Sequence, residues 1–226
     1  MKNESYADAR DMFAVHTMFR REFALMPALV RRAKPADKQR AEIVADHIEL
    51  VNGVLHHHHR LEDKHLWQKL LERVPETAHS IVRVMERHHQ ALEQIIVESD
   101  VATRIWRASA TSGAAEALAD ALDRLSALVT EHMALEEQQI LPLAEKHITA
   151  AEWGHMVQEG ASGIPQEQIP LIFGMIMYEG EPDVIQQILF SMPPEVRPVM
   201  KQQSRQAFMT HSQRVHGTPT PARSNA

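Results

Sequence analysis

Residues 56–67 read HHHHRLEDKHLW, and residues 131–143 read EHMALEEQQILPL. Each stretch holds a His-x-x-x-Glu, His58 with Glu62 and His132 with Glu136. A lone histidine precedes each pair by roughly 42 residues, His16 in the first copy and His89 in the second. Corresponding members of the two copies are offset by roughly 73 or 74 residues. A metal site needs several donors converging on one point, so a duplicated half-site predicts a dinuclear centre.

All these residues sit on apolar stripes of helical period. His16 continues Met12, Phe19 and Phe23. His58 and Glu62 extend Val51 and Leu55 toward Leu66, and His132 and Glu136 extend Leu125 and Val129 toward Ile140. A His and a Glu four apart on a helix point the same way, one turn apart. Four buried imidazoles and two buried carboxylates would make an unfavourable core without a cation.

Working outward, helical patterns run from about Tyr6 to Arg32, from Asp37 to Val74, from Pro75 to Arg107, and from the Ser109–Gly113 break onward through Leu118, Leu122, Leu125, Val129, Ile140 and Leu143. Lys34-Pro35-Ala36-Asp37 forms the first turn, and Pro75 fits the first turn of the third helix. Few residues favour strands. The expected fold is all-α, an antiparallel up-down four-helix bundle over residues 1–148. Thr149 and Glu152 match a capping box. Shorter helices around residues 166–178, 182–191 and 194–214 would make residues 149–216 a helical extension that packs on the bundle. Residues 217–226 are expected to be a disordered tail.

Depth along the helices supports convergence. His16 lies about 19 residues before the first turn and His58 about 23 after it, a mismatch of about 6 Å. The midpoint of His58 and Glu62 matches His89 across Pro75 to within about 2 Å. His132 and Glu136 lie about 22 and 26 residues after the third turn, against about 21 before it for His89. The six fall in one layer. Successive helical residues are about 100° apart, so only one or two of His56–His59 reach the centre. His58 leads, because Glu62 completes its pair, and His57 and His59 are read as supporting or solvated. His88 and His89 both flank their stripe, and the repeat favours His89. Asp63 and Glu137 stand as alternative carboxylate donors. His47, His65, His79, His147, His155, His211 and His216 are assigned to surface or structural roles.

The chain of 226 residues has 15 histidines, no cysteine and a net charge of −6. The absence of cysteine excludes disulfides, thiolate zinc sites and protein-held iron–sulfur clusters. The charge gives no reason to expect nucleic-acid or anionic-membrane partners. No apolar run reaches the length of a membrane span, and residues 1–10 carry no leader-like apolar segment, so a cytoplasmic protein is expected. A sulfur-free imidazole–carboxylate set suits iron, manganese or zinc, and a dinuclear centre in a helical bundle favours iron.

The segments HTMFRREF at His16, HHHHRLEDKHLW, MERHHQAL at His89 and EHMALEEQQILPL resemble the hemerythrin-like (HHE cation-binding) family, in particular its actinobacterial members. The resemblance covers about residues 10–148. It implies two iron ions per chain in an oxo- and carboxylate-bridged non-haem centre that handles hydrogen peroxide, oxygen or nitric oxide. The chain departs from the oxygen carriers of the family at two places. Met85 stands where a second histidine precedes His89, and Glu136 comes one position earlier than the terminal carboxylate, whose spacing Glu137 keeps.

Two octahedral irons offer about 12 positions; an oxo group, four imidazoles and two bridging carboxylates leave about two open. Two open positions favour redox turnover, with Glu62 or Glu136 assisting proton transfer. That makes catalase-like peroxide decomposition in oxidative or nitrosative stress the first functional expectation. The alternative is a non-enzymatic oxygen, nitric oxide or iron sensor or store. A third is iron–sulfur cluster repair, which the missing cysteine-bearing domain demotes.

Overall fold

A computed structural model describes residues 5–224; the expectations that fall on residues 1–4 and 225–226 lie outside it. Helix α1 spans Arg10–Arg31 and α2 spans Lys38–Glu62, the latter running through a π-helical turn at Asp63–Trp67 into α3, Gln68–Arg73. A 3-10 turn at Glu76–Ala78 leads to α4, His79–Ser109. Helix α5, Ser112–Leu135, passes through a second π-helical turn at Glu136–Ile140 into α6, Leu141–His147. The fold is all-helical, as expected. Among the described residues the only β feature is an isolated bridge between Tyr6 and Thr149.

The reversals follow local chemistry. The Asp37 side chain accepts from the Arg40 amide at 2.9 Å and starts α2, and the Thr111 hydroxyl accepts from the Ala114 amide to start α5. Ala36 and Ala110 take the left-handed conformation at these turns, with φ of 65° and 49°. The Ala36 amide donates to the Ala110 carbonyl at 2.9 Å, so both reversals lie at one end of the bundle and the helices alternate in direction. Pro75 sits in extended backbone before the 3-10 turn rather than inside the third helix.

Two apolar clusters fill the bundle, and a smaller third, of Phe173, Ile185 and Leu189, lies in the C-terminal extension. One joins Met18–Val30, Ala41–Leu55, Leu92–Trp106 and Ala115–Met133; the other gathers Met12, Leu66, Leu70, Val82, Met85, Ile140 and Trp153. On α1, α2 and α4 the predicted donors fall where the first cluster gives way to the second. On α5, His132 and Glu136 straddle the same boundary. A polar slab therefore crosses the bundle between two dry layers.

Helices α7 (Ala150–Ser162), α8 (Ile169–Met177), α9 (Pro182–Phe190) and α10 (Arg197–His216) form the extension. Helix α7 starts on the expected capping box of Thr149 and Glu152. The extension packs on α1 and α2, with Met175 and Phe208 entering the larger apolar cluster. Residues 217–224, expected as a disordered tail, contact the extension. The Pro221 carbonyl accepts from the Tyr178 hydroxyl at 2.8 Å, and the Ser224 amide donates to Glu179 at 2.7 Å, so side chains of the extension hold this segment down. No helix of the described residues is long and apolar enough to cross a membrane.

Candidate metal centre

The six predicted donors meet in the polar slab, together with one that the sequence reading set aside. Ligand-capable atoms gather in two groups, His16–His58–Glu62–Glu136 and His59–Glu62–His89–His132, each within 4.8 Å. Glu62 belongs to both. Its Oε1 lies 3.2 Å from His58 Nε2, and its Oε2 lies 3.4 Å from His89 Nε2. The Oε2 of Glu136 lies 3.5 Å from His16 Nε2 and 3.6 Å from His132 Nε2, so this carboxylate also stands between the groups.

None of these contacts is a hydrogen bond. The Nε2 atoms of His16, His58, His59, His89 and His132 are buried without a hydrogen-bond partner, as are both carboxylate oxygens of Glu62 and of Glu136. Burial of that many lone pairs is unfavourable unless something they all face satisfies them. Donors held 2.0–2.2 Å from a common ion are separated by about 3.0–3.6 Å, which is the spacing found between the paired atoms. The residues present therefore fit a pair of metal ions.

The electrostatics agree. Burial pushes the His58 imidazole down to about 4, only partly opposed by Glu62. Burial also lowers His59 and His132, and the neighbouring imidazoles lower them further. These rings stay neutral, the form that binds a metal. Burial and repulsion from Glu62 raise Glu136 well above the carboxylate range. Burial would raise Glu62 too, but His58, His89 and His132 outweigh it and hold this carboxyl low. Burial alone would lower His89; Asp63 and Glu62 together overcome it and lift this ring to about 9.

Outer partners orient the rings. The Nδ1 of His16 lies 3.0 Å from Glu137 Oε1, whose other oxygen accepts from Arg20 at 2.8 Å. The Nδ1 of His89 lies 2.7 Å from Asp63 Oδ1, which also accepts from Trp67 Nε1 at 2.7 Å. Asp63 and Glu137 are thus not substitutes for their neighbours; they brace imidazoles, the usual arrangement around metal-bound histidine. Both π-helical turns fall at these carboxylate pairs, Asp63–Trp67 just after Glu62 and Glu136–Ile140 beginning on Glu136. Such turns recur where a helix presents functional groups.

His59 is the residue the sequence reading missed. It is buried, its ring stacks on His89 at 4.2 Å between centroids, and Glu62 follows it at i+3 on the same helical face. The signal was present, because His59 stands as regularly before His132 as His58 does. His57 points away and bonds the Gly160 carbonyl through Nε2 at 3.0 Å. His56 pairs with Glu93 at the surface. His88 stays out of both groups.

A cavity of about 250 Å³ reaches His58 and Glu62. Its walls include Met12, Val15 and Phe19 of α1, Met156 of α7, and Ile172 and Phe173 of α8, with Asp11 and His57 among the few polar groups. The C-terminal extension thus closes one side of the approach to the donors. A family model described as hemerythrin HHE cation-binding domain matches residues 8–144. No curated protein and no solved structure matches the chain.

Proposed function

The chain belongs to the hemerythrin HHE cation-binding domain family, and from that premise we propose that it is a non-haem diiron protein that takes a small ligand, oxygen or nitric oxide, at one open position. His16 and His58 would hold one iron and His59, His89 and His132 the other, with Glu62 and Glu136 shared. The observation that carries this reading is His59. A fifth imidazole reduces the roughly two open positions of a four-histidine centre to about one, which suits binding of a single ligand over two-site turnover. When bound, the iron pair supplies one- and two-electron exchange and a Lewis-acidic position. The chain's own contribution is to hold five imidazoles in register, brace two of them with Asp63 and Glu137, and keep bulk water off through apolar walls.

Peroxide decomposition is the second reading, favoured by one observation. Glu62 lies on the wall of the cavity, so a carboxylate stands beside whatever enters. Metal analysis with an absorption spectrum tests the centre: two irons per chain and oxo-to-iron charge-transfer bands are expected, and a lone zinc would refute it. Titration of the reduced protein with oxygen or nitric oxide then separates the two readings. A reversible spectral change without oxygen evolution from added peroxide fits ligand binding. Oxygen evolution faster than from free iron would favour turnover.

A further inference from the structure

A second buried donor cluster lies outside the diiron slab. Glu22 of α1, His47 of α2 and His216, the last residue of α10, bring ligand-capable atoms within 4.8 Å of one another. Glu22 and His47 have no accessible surface, and the His216 side chain is 6% exposed. Glu22 Oε2 lies 3.2 Å from His47 Nε2 and 3.6 Å from His216 Nε2. Three ligands held tetrahedrally at 2.0–2.1 Å around one ion have edges of about 3.3–3.4 Å, so these spacings fit a single small cation.

A proton-bridged His–Glu pair is the competing reading of such a contact, and the unpartnered state of both atoms counts against it. At 3.2 Å, His47 Nε2 and Glu22 Oε2 are close enough to hydrogen-bond, yet both atoms are left without a partner. Two groups that face a common third point have this geometry, and the donors of the diiron slab show the same signature, with His58 Nε2 at 3.2 Å from Glu62 Oε1 and neither atom bonded.

The surroundings are those of a braced ligand set. His47 Nδ1 is hydrogen-bonded to His211 Nε2 at 3.0 Å, which fixes the ring. Arg21 donates to Glu22 Oε1 through Nε at 2.8 Å and Nη2 at 2.6 Å, occupying one carboxylate oxygen and leaving Oε2 turned toward the two imidazoles. The Arg21 charge is itself paired with Glu179 at 2.7 Å. Glu22 and Glu179 thus share the buried Arg21 guanidinium. We propose that Glu22, His47 and His216 form a separate single-ion site for a zinc-class divalent cation. By joining the end of α10 to α1 and α2, the ion fastens the extension that walls the cavity. Two imidazoles and one carboxylate, with no sulfur, form a common zinc donor set.

The test uses the full chain and zinc alone. After dialysis against buffered Zn²⁺, the chain is expected to hold one zinc more than either Glu22→Gln or His216→Gln, with circular dichroism checking that all three are folded. Equal zinc content in the three proteins would overturn the proposal. Crystals of the unaltered chain soaked in Zn²⁺ give a reading independent of any variant. An anomalous peak at the zinc edge between Glu22 Oε2, His47 Nε2 and His216 Nε2 is expected. Its absence in crystals that show zinc at the bundle donors would overturn the assignment and leave the diiron reading untouched.

Discussion

Asp63 holds His89 from the far side of its ring: Oδ1 lies 2.7 Å from Nδ1, while the opposite nitrogen faces Glu62. Glu137 does the same for His16 at 3.0 Å. In each case the bracing residue directly follows a shared carboxylate and reaches across to a helix of the other half. The repeat in the sequence thus encodes a reciprocal clasp. Removing a partner of this kind weakens metal affinity by about 10- to 100-fold. Asp63→Ala and Glu137→Ala are each expected to fall in that range in competition with an iron chelator. Chelator competition curves that superimpose on those of the unaltered chain would refute the bracing role.

His59 and His57 make a paired test of the donor assignment. His59→Ala deletes a ring inside the slab and is expected to change the iron content and the charge-transfer spectrum. His57→Ala deletes only the bond to the Gly160 carbonyl and a piece of cavity wall, so two irons should remain. The reverse pattern, with His57 needed for metal and His59 dispensable, would invalidate the five-imidazole count.

The comparison of these neighbours shows what the sequence could and could not convey. Helical period, the capping box at Thr149 and the levelling of His16, His58, His89 and His132 were all readable, because each is set by spacing along one helix or by distance from a turn. His59 was passed over because a uniform 100° step gives one face to His58 and turns its neighbour aside. In the folded chain the two groups of donors lie side by side, so adjacent residues on α2 can each serve one of them. The π-helical turns carry no residue signature of their own. The Glu22–His47–His216 cluster was also hidden, since His216 comes from a helix whose docking depends on tertiary packing.

Stability should depend on pH through Asp11. Burial pushes this carboxyl up to about 6, partly opposed by hydrogen bonds from Trp153 Nε1. An acid whose folded value exceeds its unfolded value, near 3.9, favours folding when protonated. Its contribution is fully present below about 4 and is lost as the pH rises through about 6. A shift of about two units corresponds to roughly 3 kcal/mol at most. Asp11→Asn keeps an acceptor for Trp153 and gives up a favourable charge near the start of α1, worth about 0.3–1 kcal/mol. Relative to the unaltered chain the variant should gain stability between pH 4 and 7 in urea unfolding. A difference that is flat across that range would contradict the assignment.

Gly174 lies at a close approach of α8 to α10. A Cβ built there would overlap the Ser204 carbonyl and come within 2.9 Å of the Phe208 Cβ. The obstacle is backbone, which cannot rotate away as a flexible side chain would. Gly174→Ala must therefore part the two helices, and overpacking of this kind costs about 1–3 kcal/mol. Gly154, on α7, has nothing within 4 Å of the same construction. There alanine meets no obstacle and should stabilise by about 0.5–1 kcal/mol through helix propensity. Because Phe208 and Tyr178 pack together at 4.7 Å, the strain at Gly174 should reach the extension before the bundle. Hydrogen exchange is expected to rise across α8 and α10 while the amides around His59 and His132 stay protected. Equal stability of the two alanine variants would mean that the α8–α10 crossing is looser than these distances require.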